Sequence, residues 1–159
     1  MTARKLCGLA LMSALMVGTQ VAMASIPNVH LVAVLIILAV IAYGGYAFYS
    51  VAVFVLLEGV IYGFGIWWVF YLYAWPLYTL VVLLLRKNES RLVWACVAGL
   101  FGLLFGALSA IPYLFISGTQ AAVAYWVSGI PFDVAHGMSN FILSFILVPP
   151  LSRAVLKLR

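Results

Sequence analysis

The sequence predicts an all-α integral membrane protein, a six-helix transmembrane bundle with the N- and C-termini in the cytoplasm. Of its 159 residues, 68% are hydrophobic and only 7% are charged, whereas a soluble domain of this size has about a quarter charged residues. Basic residues fall in a few clusters, and turn residues separate apolar stretches of roughly 20 residues, the length of a membrane-spanning helix. Soluble enzymes, nucleic-acid-binding proteins and disordered tails are therefore excluded.

Three clusters contain all eight basic residues and set the predicted topology. They are Arg4 and Lys5; Arg86, Lys87 and Arg91; and Arg153, Lys157 and Arg159. Such clusters stay on the cytoplasmic side, so the chain between them crosses the bilayer an even number of times. The 80 residues between the first two clusters predict four crossings, and the 61 residues before the third predict two. The net charge of +5 thus indicates topology, and no nucleic-acid partner is expected.

Turn residues divide the chain, a single domain over 1–159, into the individual helices. The predicted helices are about 5–25, 29–43, 46–63, 67–86, 92–116 and 131–153. Pro27 breaks the first from the second, Gly44 ends the second, and Gly63 forms the next turn. A longer outer segment is expected after residue 116, and Pro131 suits the first turn of the last helix.

The first 24 residues allow a second interpretation. Basic residues, an apolar stretch and Ala22-Met23-Ala24 also fit a secretory signal peptide with a small-residue cleavage site. Cleavage would place the mature N-terminus outside and leave the other helices where they are.

Polar residues in the last helix form the most informative pattern. Asp133, His136, Gly137, Asn140 and Ser144 recur at the spacing of one helical face, among apolar neighbours. Ionisable residues inside a membrane are costly and usually functional, so this stripe predicts a lined cavity. The alternative is that these side chains only bond a neighbouring helix.

Further polar and aromatic residues map to the same outer half. Glu58 and Tyr62 lie near the end of the third helix, Trp67 and Tyr71 begin the fourth, and Asn28 precedes the second. Flat rings favour a ring-containing ligand, and the acids favour one that offers donors or positive charge. An interfacial aromatic belt and a Glu58 that serves only packing are the alternatives.

Small residues recur every fourth position on two helices, which lets another helix approach closely. On the first helix they are Ala10, Ala14, Gly18 and Ala22, and on the fifth they are Ala98, Gly102, Gly106 and Ala110. We name these the first and the second ladder. One ladder can serve internal packing and the other a partner, and spacing does not say which.

Motifs of catalysis are missing from the sequence. It contains no phosphate-binding loop, no HExxH and no recognisable serine nucleophile motif. The chain is therefore predicted not to hydrolyse ATP and not to be an enzyme, with no catalytic residue, metal site or cofactor expected.

These residues resemble those of a known family, the substrate-binding S components of energy-coupling factor (ECF) vitamin transporters. The likeness covers essentially the whole chain. It rests on the Ala10-x-x-x-Ala14 repeat, the Ile26-Pro27-Asn28-Val29 turn, and the run Val127-Ser-Gly-Ile-Pro-Phe-Asp-Val-Ala-His-Gly137 leading to Asn140.

The resemblance implies a substrate-specificity subunit in the bacterial plasma membrane. It implies that the small residues of the first helix, Ala10 and Ala14 with Gly18 beyond them, dock on a membrane coupling subunit, and that two ATPase subunits drive uptake. A vitamin-like micronutrient would bind near the outer surface, under the loop joining the first two helices. The pocket candidates carried over are Asn28, Glu58, Asp133, His136 and Asn140.

Two other classes remain open. A membrane-embedded enzyme would use Glu58, Asp133 and His136 as acid and base groups, and its turnover would survive without partners. A scaffolding protein would use both ladders for packing and would have a solidly packed outer half.

Overall fold

A computed structural model of the chain describes residues 1–157, of which the great majority are helical and none form strands. The α-helices of this part are α1 (Ala3–Ala22), α2 (Val32–Tyr43), α3 (Ala47–Tyr62), α4 (Ile66–Leu84), α5 (Arg91–Ile116) and α6 (Gly118–Lys157). A short 3₁₀ turn, Gly44–Tyr46, joins α2 to α3. The predicted all-helical architecture is confirmed.

Five stretches of the described chain are long and apolar enough to cross a membrane. Helices α2 and α3 together count as one of these, Val32–Tyr62. Alone, α2 has only 12 residues, or about 18 Å at 1.5 Å per residue, against a hydrocarbon core of about 30 Å. The multi-pass character is thus supported, while six separate crossings stay a prediction.

The sixth helix differs most from its prediction. It begins at Gly118 and not near Pro131, so the outer segment expected after residue 116 is helical. Gly118 has a φ of +82°, which reverses the chain directly after α5, and Tyr113 of α5 stacks on Tyr125 of α6 with ring centroids 4.4 Å apart. Pro131 lies inside the helix, as membrane helices tolerate, and does not mark its start.

Helix α2 is the centre of the bundle. Ten of its 12 residues are buried, and it contacts α1, α3, α4 and α6. A helix that is apolar all round is expected to be covered on every side. Because α2 is short, the nine residues 23–31 before it form a loop over its first turn.

Helices α1 and α3 pack side by side in the same direction. Ser50 Oγ donates to the Leu9 carbonyl oxygen at 2.8 Å, and Ser13 Oγ donates to the Ser50 carbonyl oxygen at 3.1 Å. This pairing continues along both helices and brings Gln20 to Glu58, where the amide nitrogen donates to a carboxylate oxygen at 2.8 Å.

Helices α5 and α6 form a close hairpin. A Cβ at Gly102 would lie 2.7 Å from the Gly137 Cα, well inside van der Waals contact. Small residues on both helices therefore allow the two backbones to touch.

Residues from the three basic clusters lie at one end of the bundle. Lys5 Nζ is 3.4 Å from the ring centroid of Tyr46 in the turn between α2 and α3. Arg86 approaches Gly44 in the same turn, and it lines one cavity with Arg153 of α6. We call this the basic end, and the opposite end, which carries the loop 23–31, the pocket end.

Candidate ligand-binding site

A cavity of about 350 Å³ lies at the pocket end, beneath the loop 23–31. The cavity exists because α2 is shorter than the helices around it. Its first turn begins below their ends, and the loop partly covers the resulting depression. Six of the residues predicted for the site line it: Asn28, Glu58, Tyr62, Trp67, Tyr71 and His136.

Glu58 is the acidic group of this cavity, and it is buried within the bundle, as predicted. Its Oε2 accepts from Gln20 Nε2, which also lies 3.4 Å from the Tyr71 hydroxyl oxygen. Glu58 Oε1 and Gln20 Oε1 have no partner. Two buried oxygen atoms thus remain free to accept hydrogen bonds at the cavity, and a buried acceptor without a partner is costly.

Two histidines form the floor with aromatic neighbours. The ring centroids of His30 and His136 are 4.6 Å apart, and Phe105 packs on His136 at the same distance. His30 also lies 5.8 Å from Trp75. The Nδ1 atom of His30 and both ring nitrogens of His136 have no partner. Burial lowers the pKa of the His30 imidazole to about 4, so this loop residue is neutral at pH 7.

Asp133 faces a second, adjoining cavity of about 460 Å³. Its Oδ1 accepts from the Gly106 backbone N–H at 2.8 Å, and its Oδ2 has no partner. The two cavities share Asn28, Trp67, Tyr71 and Phe105. Asp133 therefore has two roles. One of its oxygens bonds α5, as expected if the polar stripe only joined neighbouring helices, and the other faces the cavity next to the first site.

The loop that covers the first cavity is held by a bond to α6. Ser139 Oγ donates to the Asn28 carbonyl oxygen at 2.8 Å, and Asn28 has a φ of 59°, a conformation that asparagine adopts more readily than most residues. Asn28 thus contributes to both cavities, and its backbone ties the loop to Ser139 of α6.

The deeper half of the predicted stripe does not reach the site. Asn140 and Ser144 are fully buried, and their side-chain polar atoms have no partner. Neither lines the two cavities at the pocket end, because each helical turn carries them about 5.4 Å further toward the basic end. Asn140 is therefore placed below the site and not in it.

Sequence reasoning missed Gln20 and Phe105. An uncharged amide inside an apolar helix was the available signal for Gln20, since such a group needs a partner in a membrane. Phe105 carried no signal, because one phenylalanine among many apolar residues of α5 is ordinary.

The residues predicted to dock a partner lie on the outside of the bundle. Ala10, Ala14 and Gly18 are exposed, and a Cβ built on Gly18 would meet nothing within 4 Å. All members of the second ladder are instead buried in α5. The structure thus distinguishes two ladders that spacing left equal.

The two cavities at the pocket end are lined by acidic side chains and not by Lys or Arg of the described chain. The acidic side chains are those of Glu58 in the first cavity and Asp133 in the second. No cluster of three or more His, Cys, Asp or Glu residues that could hold a metal ion occurs within residues 1–157.

Comparisons of the chain with protein-family models, with curated proteins and with solved structures find no match. The resemblance to S components therefore rests on the residues quoted above.

Proposed function

We propose that this chain is the substrate-binding subunit of an ECF-type importer in a bacterial plasma membrane. It crosses the bilayer six times with both termini in the cytoplasm, captures a vitamin-like micronutrient at the outer face, and delivers it by docking on a coupling subunit that works with two ATPase subunits. The observation that carries this proposal is the cavity over the recessed α2, with an inward-folded loop above it.

The collected basic residues support the orientation. The basic end holds Lys5, Arg86 and Arg153, from all three clusters of the sequence. Basic residues near membrane helices stay in the cytoplasm, which supports an outward-facing pocket end. A cysteine introduced at Asn88 should react with an impermeant maleimide only from the cytoplasmic side, and one at Gln120 only from outside, in a background without Cys7 and Cys96.

The free atoms of the site support a ligand that donates hydrogen bonds. Carboxylate and amide oxygens of Glu58 and Gln20 lack partners, and bound donors would satisfy them. The absence of Lys and Arg around both cavities of the described chain disfavours a phosphate or carboxylate group. A neutral or cationic nitrogen heteroaromatic compound, held between Trp67 and Tyr71 on one side and the two histidines on the other, fits best.

The two alternative classes have less support. A scaffolding protein would have a packed outer half, yet cavities of about 350 and 460 Å³ lie there. For the enzyme class, the three candidate acid and base groups are divided: Asp133 faces the second cavity with one oxygen bound by Gly106, while Glu58 and His136 line the first.

Mass spectrometry of small molecules that co-purify with the detergent-solubilised protein is the first test. The identified compound should then bind with an affinity that Glu58→Gln lowers roughly twofold to tenfold, the value of one hydrogen bond of about 0.5–1.5 kcal/mol. Glu89→Gln is the matched control, because Glu89 is the one other glutamate and lines the cavity at the basic end. Equal affinity of the wild type and Glu58→Gln would refute the site.

A further inference from the structure

A third cavity, of about 620 Å³, lies at the basic end, at the opposite end of the bundle from the proposed ligand site. Four basic residues line it: Arg86, Lys87, Arg91 and Arg153. Glu89 is the acidic residue of its lining, so the formal charge around the cavity is +3. In the sequence Arg153 lies far from the others, and only the fold brings it to the loop between α4 and α5.

The start of α5 adds to this positive potential. Helix α5 begins at Arg91, and Ser90 before it makes no side-chain capping bond. The first backbone N–H groups of a helix carry partial positive charge and lack partners within the helix. The Arg91 guanidinium carbon lies 4.6 Å from the Phe145 ring centroid, which orients this side chain against α6.

The rest of the lining combines the polar side chains of Asn88 and Ser152 with several apolar residues. Ile41 of α2, Trp94 of α5 and Val148 and Leu156 of α6 form the walls. A soluble anion needs only the basic residues, whereas a lipid needs basic residues for its headgroup beside apolar surface for its chains. Basic pockets between membrane helices on the cytoplasmic side suit anionic lipid headgroups.

We propose that this cavity binds a phosphate group, and that the source is the headgroup of an anionic phospholipid of the cytoplasmic leaflet. Arg91 and Arg153 hold the phosphate from opposite helices of the hairpin. The bound lipid then fastens the α4–α5 loop to the end of α6.

Native mass spectrometry of the full-length protein in mild detergent tests this site. We expect phosphatidylglycerol to be retained through detergent removal and phosphatidylcholine to be lost. The variant carrying Arg91→Gln and Arg153→Gln should bind phosphatidylglycerol roughly 25-fold more weakly, since each basic residue near a membrane surface contributes about 1 kcal/mol, or about fivefold. The matched control carries Arg4→Gln and Lys157→Gln, which remove the same charge outside the cavity lining.

The outcomes separate the possible occupants. Retention of phosphatidylglycerol that inorganic phosphate at millimolar concentration does not displace supports the lipid source. Binding of inorganic phosphate without retention of lipid would overturn it in favour of a soluble phosphate compound. If both double variants lost phosphatidylglycerol binding equally, the effect would depend only on the net charge of the protein, and the proposed site would be wrong. If the variant with Arg91→Gln and Arg153→Gln kept wild-type lipid binding but failed to assemble with the other transporter subunits, the basic residues would instead bind an acidic protein partner. That result would also overturn the proposal.

Discussion

Helices α1 and α5 carry the same spacing of small residues, but the ladder of α1 is exposed and the ladder of α5 is buried. The second ladder, on α5, is buried against α6, where Gly102 touches Gly137. The first ladder, on α1, is exposed along Ala10, Ala14 and Gly18, while the other face of α1 packs through Ser13 and presents Gln20 to the cavity. A small-residue ladder thus marks a surface where another helix can approach, and only the fold shows whether this chain already fills it.

The largest expected effect comes from filling the buried ladder. Gly102→Leu places a side chain where even a Cβ would lie 2.7 Å from the Gly137 backbone, and the hairpin of α5 and α6 would have to open. Overpacking of a core costs about 1–3 kcal/mol and more where backbone is the obstacle. We expect the variant to lose its monodisperse peak in size-exclusion chromatography or to melt at least 10 °C lower.

Gly18→Leu is the matched control on the first ladder. Nothing lies within 4 Å of the added Cβ, so the variant should fold like the wild type. If Gly18→Leu were as damaging as Gly102→Leu, the contrast between the two ladders would be wrong.

The next effect separates docking from ligand capture. Ala14→Trp enlarges an exposed position of α1, so the isolated chain should bind its ligand with unchanged affinity. Uptake into cells that also produce the coupling and ATPase subunits should fall at least tenfold, because a close helix contact cannot form over an indole. Leu56→Trp, on the exposed surface of α3, serves as the control and should leave uptake intact. Loss of ligand binding in Ala14→Trp would indicate misfolding and contradict the assignment.

The sequence predicted the parts of the fold that depend on composition and on strong helix breaks. Charge scarcity and the three basic clusters led to a helical membrane bundle, and Gly44 and Gly63 marked real helix ends. The start of α6 was not predictable from Pro131, because a proline that would begin a helix in water can lie inside a membrane helix. The tight reversal at Gly118 depends on the packing of α5 against α6, which is a tertiary contact.

The site was predictable where a costly residue had to face inward. Glu58 and His136 could be placed because ionisable side chains avoid lipid, and the structure brings both to one cavity. Asn140 lies on the same helical face as His136. Periodicity predicts which face of a helix a residue occupies, but not how far along the helix the cavity extends, so the sequence could not show that the cavity ends above Asn140. The lower limit of the cavity is set by where α2 begins.

A smaller effect tests the inward face of α1. Gln20→Leu removes the amide that donates to Glu58 at 2.8 Å while preserving the size of the side chain and the exposed ladder. Ligand affinity should fall about fivefold, the value of one hydrogen bond of roughly 1 kcal/mol, and the uptake defect should match the loss of binding. Thr19→Val is the control, because the Thr19 hydroxyl bonds within α1, to the Leu15 carbonyl oxygen at 2.7 Å. An uptake defect larger than the binding defect would mean that both faces of α1 serve the partner.

A last effect, which is seen only at acidic pH, concerns the loop that follows α1. His30 has a pKa of about 4 in the folded protein against an ordinary 6.5, so the unfolded chain binds more protons between these values and stability falls as the pH is lowered through 6.5. By pH 5 this linkage amounts to about 2 kcal/mol, or a decrease of several degrees in melting temperature.

His30→Asn should reduce that decrease. His136 and Trp75 face the His30 ring, and Glu58 lines the same cavity, so the comparison is made in both the wild-type and the Glu58→Gln background. A decrease of the same size in every variant would show that His30 does not titrate on unfolding. Because His30 belongs to the loop over the cavity, saturating ligand should reduce the acid-induced decrease in melting temperature more in the wild type than in His30→Asn. This result would link the loop to the ligand, without any contribution from the exposed ladder of α1.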